Sequence, residues 1–458
     1  MIRSMASGTS FHESLSVSRK RWLWLGIMCF FSVFQFLLQG SVGVMGEGIR
    51  QSFEMDAAGL GLLSSGFYAS YMMMQVPAGL LYDRFGIRRV AASAVAVMMV
   101  GCFVLAWAPG FLTAFTGRVL MGFGCSAGFI GLLFGIKCWF SPSQMPLLIA
   151  LSECVFMAGM SVANNVLSLG VRYLGWQLSL QLCGLISFGL FLAIVVFIRS
   201  LAESADSSCS AGSCDATETA GTSGHLPAWS VLKIREVWIG GFFSAGLFSV
   251  LSVFIALWAI PFFRAAYQMD GVQATFLASM TYAGVALGSP LVGWLSSRIH
   301  LNLLLTAGAA GTAVLMFLVL RAMDLPGFFL HGLLFLLGAF CSVYQFSFAL
   351  VSAEAPSGLQ GTAMGCANML TLSTALIMQP AIGLMISSAS TVASLSDSYG
   401  TDGAFVYQQG LRVLPWLMLL AFFLSFFLRY QGRSGWRVFL AVFAALCGKK
   451  KPVKSMLE

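Results

Sequence analysis

Charged residues are scarce in this 458-residue chain: they make up 9% of it, with only 17 acids against 25 Lys and Arg. Hydrophobic residues account for 58%, and the mean hydropathy is +0.87. A water-soluble protein cannot bury that much apolar surface and still present a polar exterior. The composition therefore excludes a soluble globular protein and predicts a polytopic membrane protein.

The groupings of residues that serve catalysis, metals and nucleotides are also missing. The four His are dispersed, and Cys209 and Cys214 share a polar loop without a His or a second cysteine pair nearby, so we predict no metal site. No G-x-x-x-x-G-K-[ST] sequence is present, which excludes ATP as the energy source. From these absences we predict no enzyme activity and no cofactor. Because the basic residues lie in short gaps between apolar runs, we also predict no nucleic-acid partner.

Twelve apolar runs are each long enough to cross about 30 Å of hydrocarbon as a helix. We predict spans at residues 22–45, 58–82, 88–107, 111–137, 145–170, 177–199, 237–262, 273–296, 303–321, 328–352, 361–388 and 410–430.

A polar break divides these spans into two groups of six. The predicted units are an N-terminal tail (1–21), a six-helix bundle (22–199), a linker (200–236), a second bundle (237–430) and a basic tail (431–458). Ser, Gly, Thr and acids dominate the linker, so it cannot form a core. The basic tail is either a short interfacial helix or a disordered solubilising segment.

The loops differ strongly in basic residues. With the N-terminus in the cytoplasm, that side has 19 Lys and Arg and the opposite side has five. Because basic loops stay on the cytoplasmic side, we predict a multi-pass protein of the cell membrane with both termini in the cytoplasm.

An internal repeat supports the division into halves. A shift of 214 residues aligns residues 79–86 with 293–300, Gly124 with Gly338, and residues 141–143 with 355–357. The shared register predicts an all-α membrane protein of two pseudo-symmetric six-helix bundles.

The sequence "GLLYDRFGIRR" at 79–89 concentrates charge in a short cytoplasmic loop. It resembles the signature G-x-x-x-D-R-x-G-R-R/K of the major facilitator superfamily, with Ile87 inserted. The resemblance implies that these residues form an ionic latch closing the cytoplasmic side; the alternative, compatible with it, is that the arginines only set topology. We define the latch residues as Gly79, Asp83, Arg84, Gly86, Arg88, Arg89 and, from the repeat, Arg298.

Two charged residues lie well inside predicted spans, away from the span ends, where charge is costly without a function or a partner. Arg118 belongs to an R-x-x-x-G pattern that resembles a second motif of the same family, which implies a role in proton or substrate coupling; alternatively it snorkels outward. Glu153 lies on one helical stripe with Met157, Met160 and Asn164. It is either a proton-coupling carboxylate or the structural partner of an arginine in the 84–89 loop.

Polar residues within other spans are candidates for the wall of a central cavity. They are Gln35, Gln39, Tyr68, Tyr71, Asn164, Tyr282, Tyr344, Gln345 and Asn368. Amides and phenols with a single arginine suit a small polar or zwitterionic solute, although each residue alone could simply form an interhelical hydrogen bond.

These features predict a secondary active transporter that works by alternating access, as a monomer in the lipid bilayer. The stretches "QVPAGLLYDRFGIRR" and "YQQGLRVLPW" resemble bacterial relatives of phagosomal amino-acid carriers and lysosomal dipeptide carriers. That resemblance implies proton symport of an amino acid, a dipeptide or a related metabolite. The alternatives are proton-driven efflux of drugs or metabolites, and a solute receptor or scaffold that does not transport.

Overall fold

A computed structural model describes residues 6–141, 144–197, 228–296, 298–321, 326–356, 359–395, 403–430 and 433–434. Almost all of these residues are helical. In the first half the helices are Ala6–Ser52, Ala57–Met73, Gln75–Ala106, Phe111–Cys125, Ala127–Trp139 and Met145–Phe197.

Two glycines divide the long helices of the first half into separate membrane crossings. Gly86 (φ 74°) interrupts Gln75–Ala106, and Gly175 (φ 80°) interrupts Met145–Phe197. At both positions the backbone adopts a conformation that only glycine reaches without strain. The first half therefore crosses six times, with spans 2 and 3 meeting at Gly86 and spans 5 and 6 meeting at Gly175.

The second half also crosses six times. Its helical segments are Ala228–Lys233 (3₁₀), Arg235–Ser249, Val250–Trp258 (π), Ala259–Tyr267, Gly271–Ser296, Leu301–Arg321, Gly327–Cys341, Ser342–Gln345 (3₁₀), Phe346–Glu354, Gln360–Leu395, Gly403–Leu411 and Val413–Ser425. Spans 7 to 12 are residues 235–267, 271–296, 301–321, 327–354, 360–395 and 403–425. A short antiparallel hairpin follows, in which the two-residue strand Arg429–Tyr430 pairs with the two-residue strand Arg433–Ser434.

The predicted all-helical fold with twelve crossings in two halves is confirmed. Within the described residues, nine helices are long and apolar enough by themselves to cross a membrane. The remaining three crossings come from the division at Gly175, from span 2, which is interrupted at Met74, and from span 12, which is built of two short helices.

The structure corrects two predicted connections. The linker ends earlier than expected, because residues 228–233 form a 3₁₀ turn and span 7 begins at Arg235; the rest of the linker lies outside the described residues. Span 11 does not end at residue 388 as predicted, since the helix continues to Leu395. Most of the basic tail, including its predicted interfacial helix, also lies outside the described residues.

Small residues bring the helices of the first half close together. The overlapping small-xxx-small spacing of Gly124, Gly128, Gly131 and Gly135 predicts tight packing of span 4. A Cβ atom at any of these positions would overlap a neighbouring span: the Ala94 carbonyl, the Gln35 amide, the Tyr82 hydroxyl and the Trp24 ring, respectively. The prediction is confirmed, and these contacts fix span 4 against spans 1, 2 and 3.

Candidate functional site

The two halves are joined by ion pairs at one end of the bundle. Arg172 Nη1 in span 5 lies 3.2 Å from Asp270 Oδ2, which precedes span 8. Arg264 Nη1 in span 7 lies 3.8 Å from Glu47 Oε2 in span 1. We call this end the ion-pair face, and the opposite end, where residues 84–89 and Arg298 lie, the basic face.

Backbone contacts between the halves are very close near the ion-pair face. A Cβ atom on Gly61 in span 2 would lie 2.5 Å from the Gln379 carbonyl oxygen and 2.9 Å from Pro380 Cα in span 11. Gly383 meets the Ala57 carbonyl in the same way, and Gly43 in span 1 meets the Ala256 carbonyl in span 7. The halves are therefore in van der Waals contact along two pairs of spans here, 2 with 11 and 1 with 7.

The same two helices separate toward the basic face. Gly79 lies 18 residues after Gly61 and Gly365 lies 18 residues before Gly383, which is five helical turns in each case and places each pair on one helix face. A Cβ atom on Gly79 or Gly365 would have no atom within 4 Å. Spans 2 and 11 thus touch at the ion-pair face and diverge toward the basic face, so the molecule is closed on the first side.

The latch residues lie on the open side of this arrangement. Gly86 makes the turn between spans 2 and 3, as predicted. Arg84 and Arg89 are exposed and Arg88 is half-buried, while the exposed Arg298 lies 4.2 Å from the Trp294 ring centroid. None of the four arginines forms an ion pair with another described residue, and the side chain of Asp83 lies outside the described set. Closure by the latch therefore remains a prediction about the other conformation.

Arg118 is buried in span 4 and does not snorkel to the surface. Its Nη1 donates to the Leu38 carbonyl (2.9 Å) and its Nη2 donates to the Gln39 carbonyl (3.4 Å), both in span 1. The guanidinium also lies 4.9 Å from the Phe67 ring centroid in span 2. Arg118 therefore ties spans 1, 2 and 4 together directly behind the cavity-lining residue Gln39.

A chain of hydrogen bonds crosses from this arginine to the second half. Gln39 Nε2 donates to the Tyr68 hydroxyl (3.1 Å), which donates to the Ser252 carbonyl in span 7 (3.1 Å). Gln379 Nε2 in span 11 donates to the same carbonyl (2.6 Å). Ser252 belongs to the π-helix, a winding that often marks functional positions in helices.

A second polar group lies nearer the basic face. Gln35 Nε2 donates to the Tyr71 hydroxyl (2.9 Å), and Gln35 Oε1 accepts from the Phe129 N–H (3.3 Å). Asn368 Nδ2 in span 11 donates to Gln75 Oε1 in span 2 (3.2 Å), which links the halves below the central contacts. The structure thus brings together Gln35 and Tyr71 but places Asn368 with Gln75.

The remaining predicted binding residues lie apart from these two polar groups. Tyr282 borders the central cavity, while Tyr344 lies 5.1 Å, centroid to centroid, from the Phe248 ring. Gln345 Nε2 donates to Ser289 Oγ (2.5 Å), and Asn164 is buried in span 5.

The central cavity lies between the halves at mid-depth and measures about 20 Å³. A space of that size holds about one water, so this conformation excludes a solute from the centre. Its lining combines Gln39 and Tyr282 with apolar side chains from both halves: Phe36, Gly40, Met157, Met160, Phe248, Leu251 and Ala256.

Glu153 lies on the predicted stripe, one turn from Met157 and toward the basic face. Its side chain is half-buried, and it forms no hydrogen bond or ion pair with any other described residue. The predicted alternative, a structural pair with an arginine of the 84–89 loop, is therefore not present among the described residues.

Sequence reasoning did not single out three features of this interface. These are the ion pairs at the ion-pair face, the Ser252 carbonyl and the Gln75–Asn368 bond. The charges near the ends of spans 1 and 7 were a usable signal for Glu47 and Arg264, since few other charges interrupt the apolar runs.

Comparisons with known proteins agree with the fold. Residues 23–378 match the Major Facilitator Superfamily. The "Uncharacterized transporter YybO" of Bacillus subtilis (strain 168) is 23% identical over 328 residues, 69% of this chain and 72% of that protein. The "Multidrug resistance protein MdtG" of Enterobacter lignolyticus (strain SCF1) is 28% identical over 191 residues, 42% of this chain and 43% of that protein.

A solved structure resembles the whole fold. It is the inward-facing, occupied form of a bacterial homolog to the human lysosomal transporter Spinster, with a TM-score of 0.67 and 14% identity, covering 89% of this chain and 96% of that one. Taken with the family match, the twelve crossings and the polar interface between two halves identify the chain as a member of the Major Facilitator Superfamily, a multi-pass membrane transporter and not an enzyme.

Proposed function

We propose that the protein moves a small polar organic solute, such as an amino acid or a dipeptide, together with protons by alternating access. In this proposal the basic face is cytoplasmic, which the 19 to five distribution of Lys and Arg supports. The conformation described above is then closed to the outside and open toward the cytoplasm.

The observation that carries the proposal is the carboxylate of Glu153, which has no ion-pair partner among the described residues. It lies within a membrane span, one helical turn from the cavity-lining Met157, on the side of the cavity that faces the basic face. A carboxylate there without a cationic partner is costly unless it faces water or takes up a proton. In the proposed cycle it takes a proton when the opposite side is open and releases it into the open cytoplasmic cleft.

Arg118 has a positioning role in this scheme. Its guanidinium holds the Leu38 and Gln39 carbonyls of span 1 and so sets the position of the Gln39 side chain at the cavity. Its charge is already engaged with backbone carbonyls and an aromatic ring, so direct proton exchange with Glu153 is not part of the proposal.

The cavity wall supports the substrate class. Gln39 and Tyr282 offer an amide and a phenol, and Met157 and Met160 offer flexible apolar surface. Polar groups of both hydrogen-bonding types beside an adaptable apolar wall suit a small neutral or zwitterionic solute better than a sugar, which needs a denser set of polar contacts.

The test is solute uptake by purified protein in liposomes under an imposed pH gradient. We expect Glu153→Gln to keep solute exchange between equal concentrations but to lose accumulation driven by the gradient. Glu354→Gln is the matched control, because Glu354 is an exposed carboxylate at the end of span 10. Full gradient-driven accumulation by Glu153→Gln would refute the coupling role.

Efflux is the second candidate, favoured by the likeness to a relative named as a multidrug resistance protein. The same liposomes distinguish the two. Gradient-driven extrusion of hydrophobic dyes without uptake of amino acids or dipeptides would replace the proposal. Binding of a solute without any flux would instead support a receptor.

A further inference from the structure

A second cavity lies at the ion-pair face, apart from the central one. It measures about 30 Å³ and is bordered by both halves: span 1, the start of span 2, the end of span 7 and the start of span 12. Unlike the central cavity, it has charged walls, which include Glu47, Arg50 and Arg264.

The charges around this cavity do not balance. Two guanidinium groups face one carboxylate, and the contact between Arg264 and Glu47 is long, at 3.8 Å. Arg50 donates through Nε to the Met55 carbonyl at 3.4 Å and pairs with no described acid. The described lining thus has one positive charge in excess of its acids.

Neutral donors border the same space. Trp258 is 1% exposed, and its indole N–H has no hydrogen-bond partner in the described part of the chain. A buried donor left unpaired costs about 1–3 kcal/mol, so an acceptor at this position would be stabilising. The Tyr407 side chain closes the cavity from span 12.

We propose that this cavity binds one small monovalent inorganic anion, such as chloride, between Arg50, Arg264 and the Trp258 indole N–H. A single negative charge neutralises the excess of the lining. The volume is only about twice that needed for a water, which favours a monatomic ion over an organic acid.

The position of the site gives the anion a defined effect. Its lining comes from both halves, so the complete site exists only while the ion-pair face is closed. A ligand that binds one conformation better shifts the population toward it. Chloride on this side therefore favours the closed ion-pair face and slows the return to the state that is open there.

The experiment measures the melting temperature of the purified protein in sodium chloride, sodium acetate and sodium gluconate at equal ionic strength. We expect a saturable rise with chloride, little with acetate and none with gluconate, since a bound ligand stabilises the folded state by mass action. Arg50→Gln and Arg264→Gln should each abolish the rise. Trp258→Phe, which keeps the ring but removes the donor, should weaken the apparent affinity for chloride.

Arg172→Gln is the matched control, because Arg172 also forms an ion pair at this face but does not border the cavity. It should keep the chloride response. Equal melting temperatures of the wild type in chloride and gluconate would overturn the proposal, as would an unchanged response in both Arg50→Gln and Trp258→Phe. A rise with acetate but not chloride would also overturn it and assign the cavity to a carboxylate.

Discussion

The ion-pair face and the basic face are built from the same kinds of helix but differ in what joins the halves. At the ion-pair face, glycines allow backbone contact and two ion pairs bridge the halves. At the basic face a Cβ atom on the equivalent glycines, Gly79 and Gly365, would meet no atom within 4 Å. The arginines there have no ion-pair partner among the described residues. In the proposed alternating-access cycle the same architecture closes at either end, and the side chains at each end would decide which closure is favoured.

The largest effect should come from filling the contact at Gly61. Gly61→Leu would clash with the backbone of Gln379 and Pro380, so the ion-pair face could not close; overpacking costs about 1–3 kcal/mol. We expect solute uptake in liposomes to fall about tenfold or more. A cysteine replacing Leu251 in the central cavity should react faster with an impermeant maleimide added at the ion-pair face, in a background without other reactive cysteines.

Gly365→Leu is the counterpart of this substitution on the other side. Because the space around Gly365 is open in this conformation, leucine there should leave the ion-pair face closed and slow the same labelling reaction. If both leucine variants changed the labelling rate in the same direction, closure of one face would not be coupled to opening of the other.

A smaller effect is expected from the turn at the basic face. Gly86→Ala places a side chain at φ 74°, ψ 165°, which costs about 1–3 kcal/mol. We expect a lower melting temperature in detergent. Gly79→Ala is the control, since its surroundings are equally open but its φ is not positive; an equal loss in both variants would argue against backbone strain.

The ion pairs should each contribute less. Their side chains are well exposed, at 55% for Arg172 and 46% for Asp270, so the pair is worth about 0.2–1 kcal/mol. Arg172→Gln should shift the labelling of the cavity cysteine by at most about fivefold, and less at high salt. The double variant Arg172→Asp with Asp270→Arg should restore the wild-type rate, which a purely local effect of Arg172 would not explain.

The smallest effect on closure concerns the start of span 2 at the ion-pair face. Asp56 accepts a hydrogen bond from the Gly59 N–H (2.9 Å), which lowers the pKa of Asp56. The carboxylate therefore stabilises the helix above its unfolded pKa, and this contribution is lost as pH falls through the lowered value. Asp56→Ala should cost about 1 kcal/mol at neutral pH. Asp56→Asn should keep most of the cap but remove its pH dependence, measured by melting temperature across acidic pH.

Local patterns in the sequence were enough to predict the crossings and the turn at the basic face. Hydropathy located the spans, and the position of Gly86 in a charged loop predicted its turn. The ion pairs could not be predicted in the same way, because Arg172 and Asp270 are far apart in the chain and meet only when the halves pack. Likewise, Glu153 could be selected as an acid within a span, but the absence of a partner among the described residues required the structure.

The π-helix of span 7 places a constraint on chain length as well as on residue identity. Its wider winding accommodates an extra residue within Val250–Trp258. If the same nine residues wound as an ordinary α-helix, each would add about 100° instead of the smaller step of the π winding, and everything that follows would be rotated. Arg264 would then turn away from Glu47, so a lineage of such proteins should tolerate substitution in this segment far better than insertion or deletion.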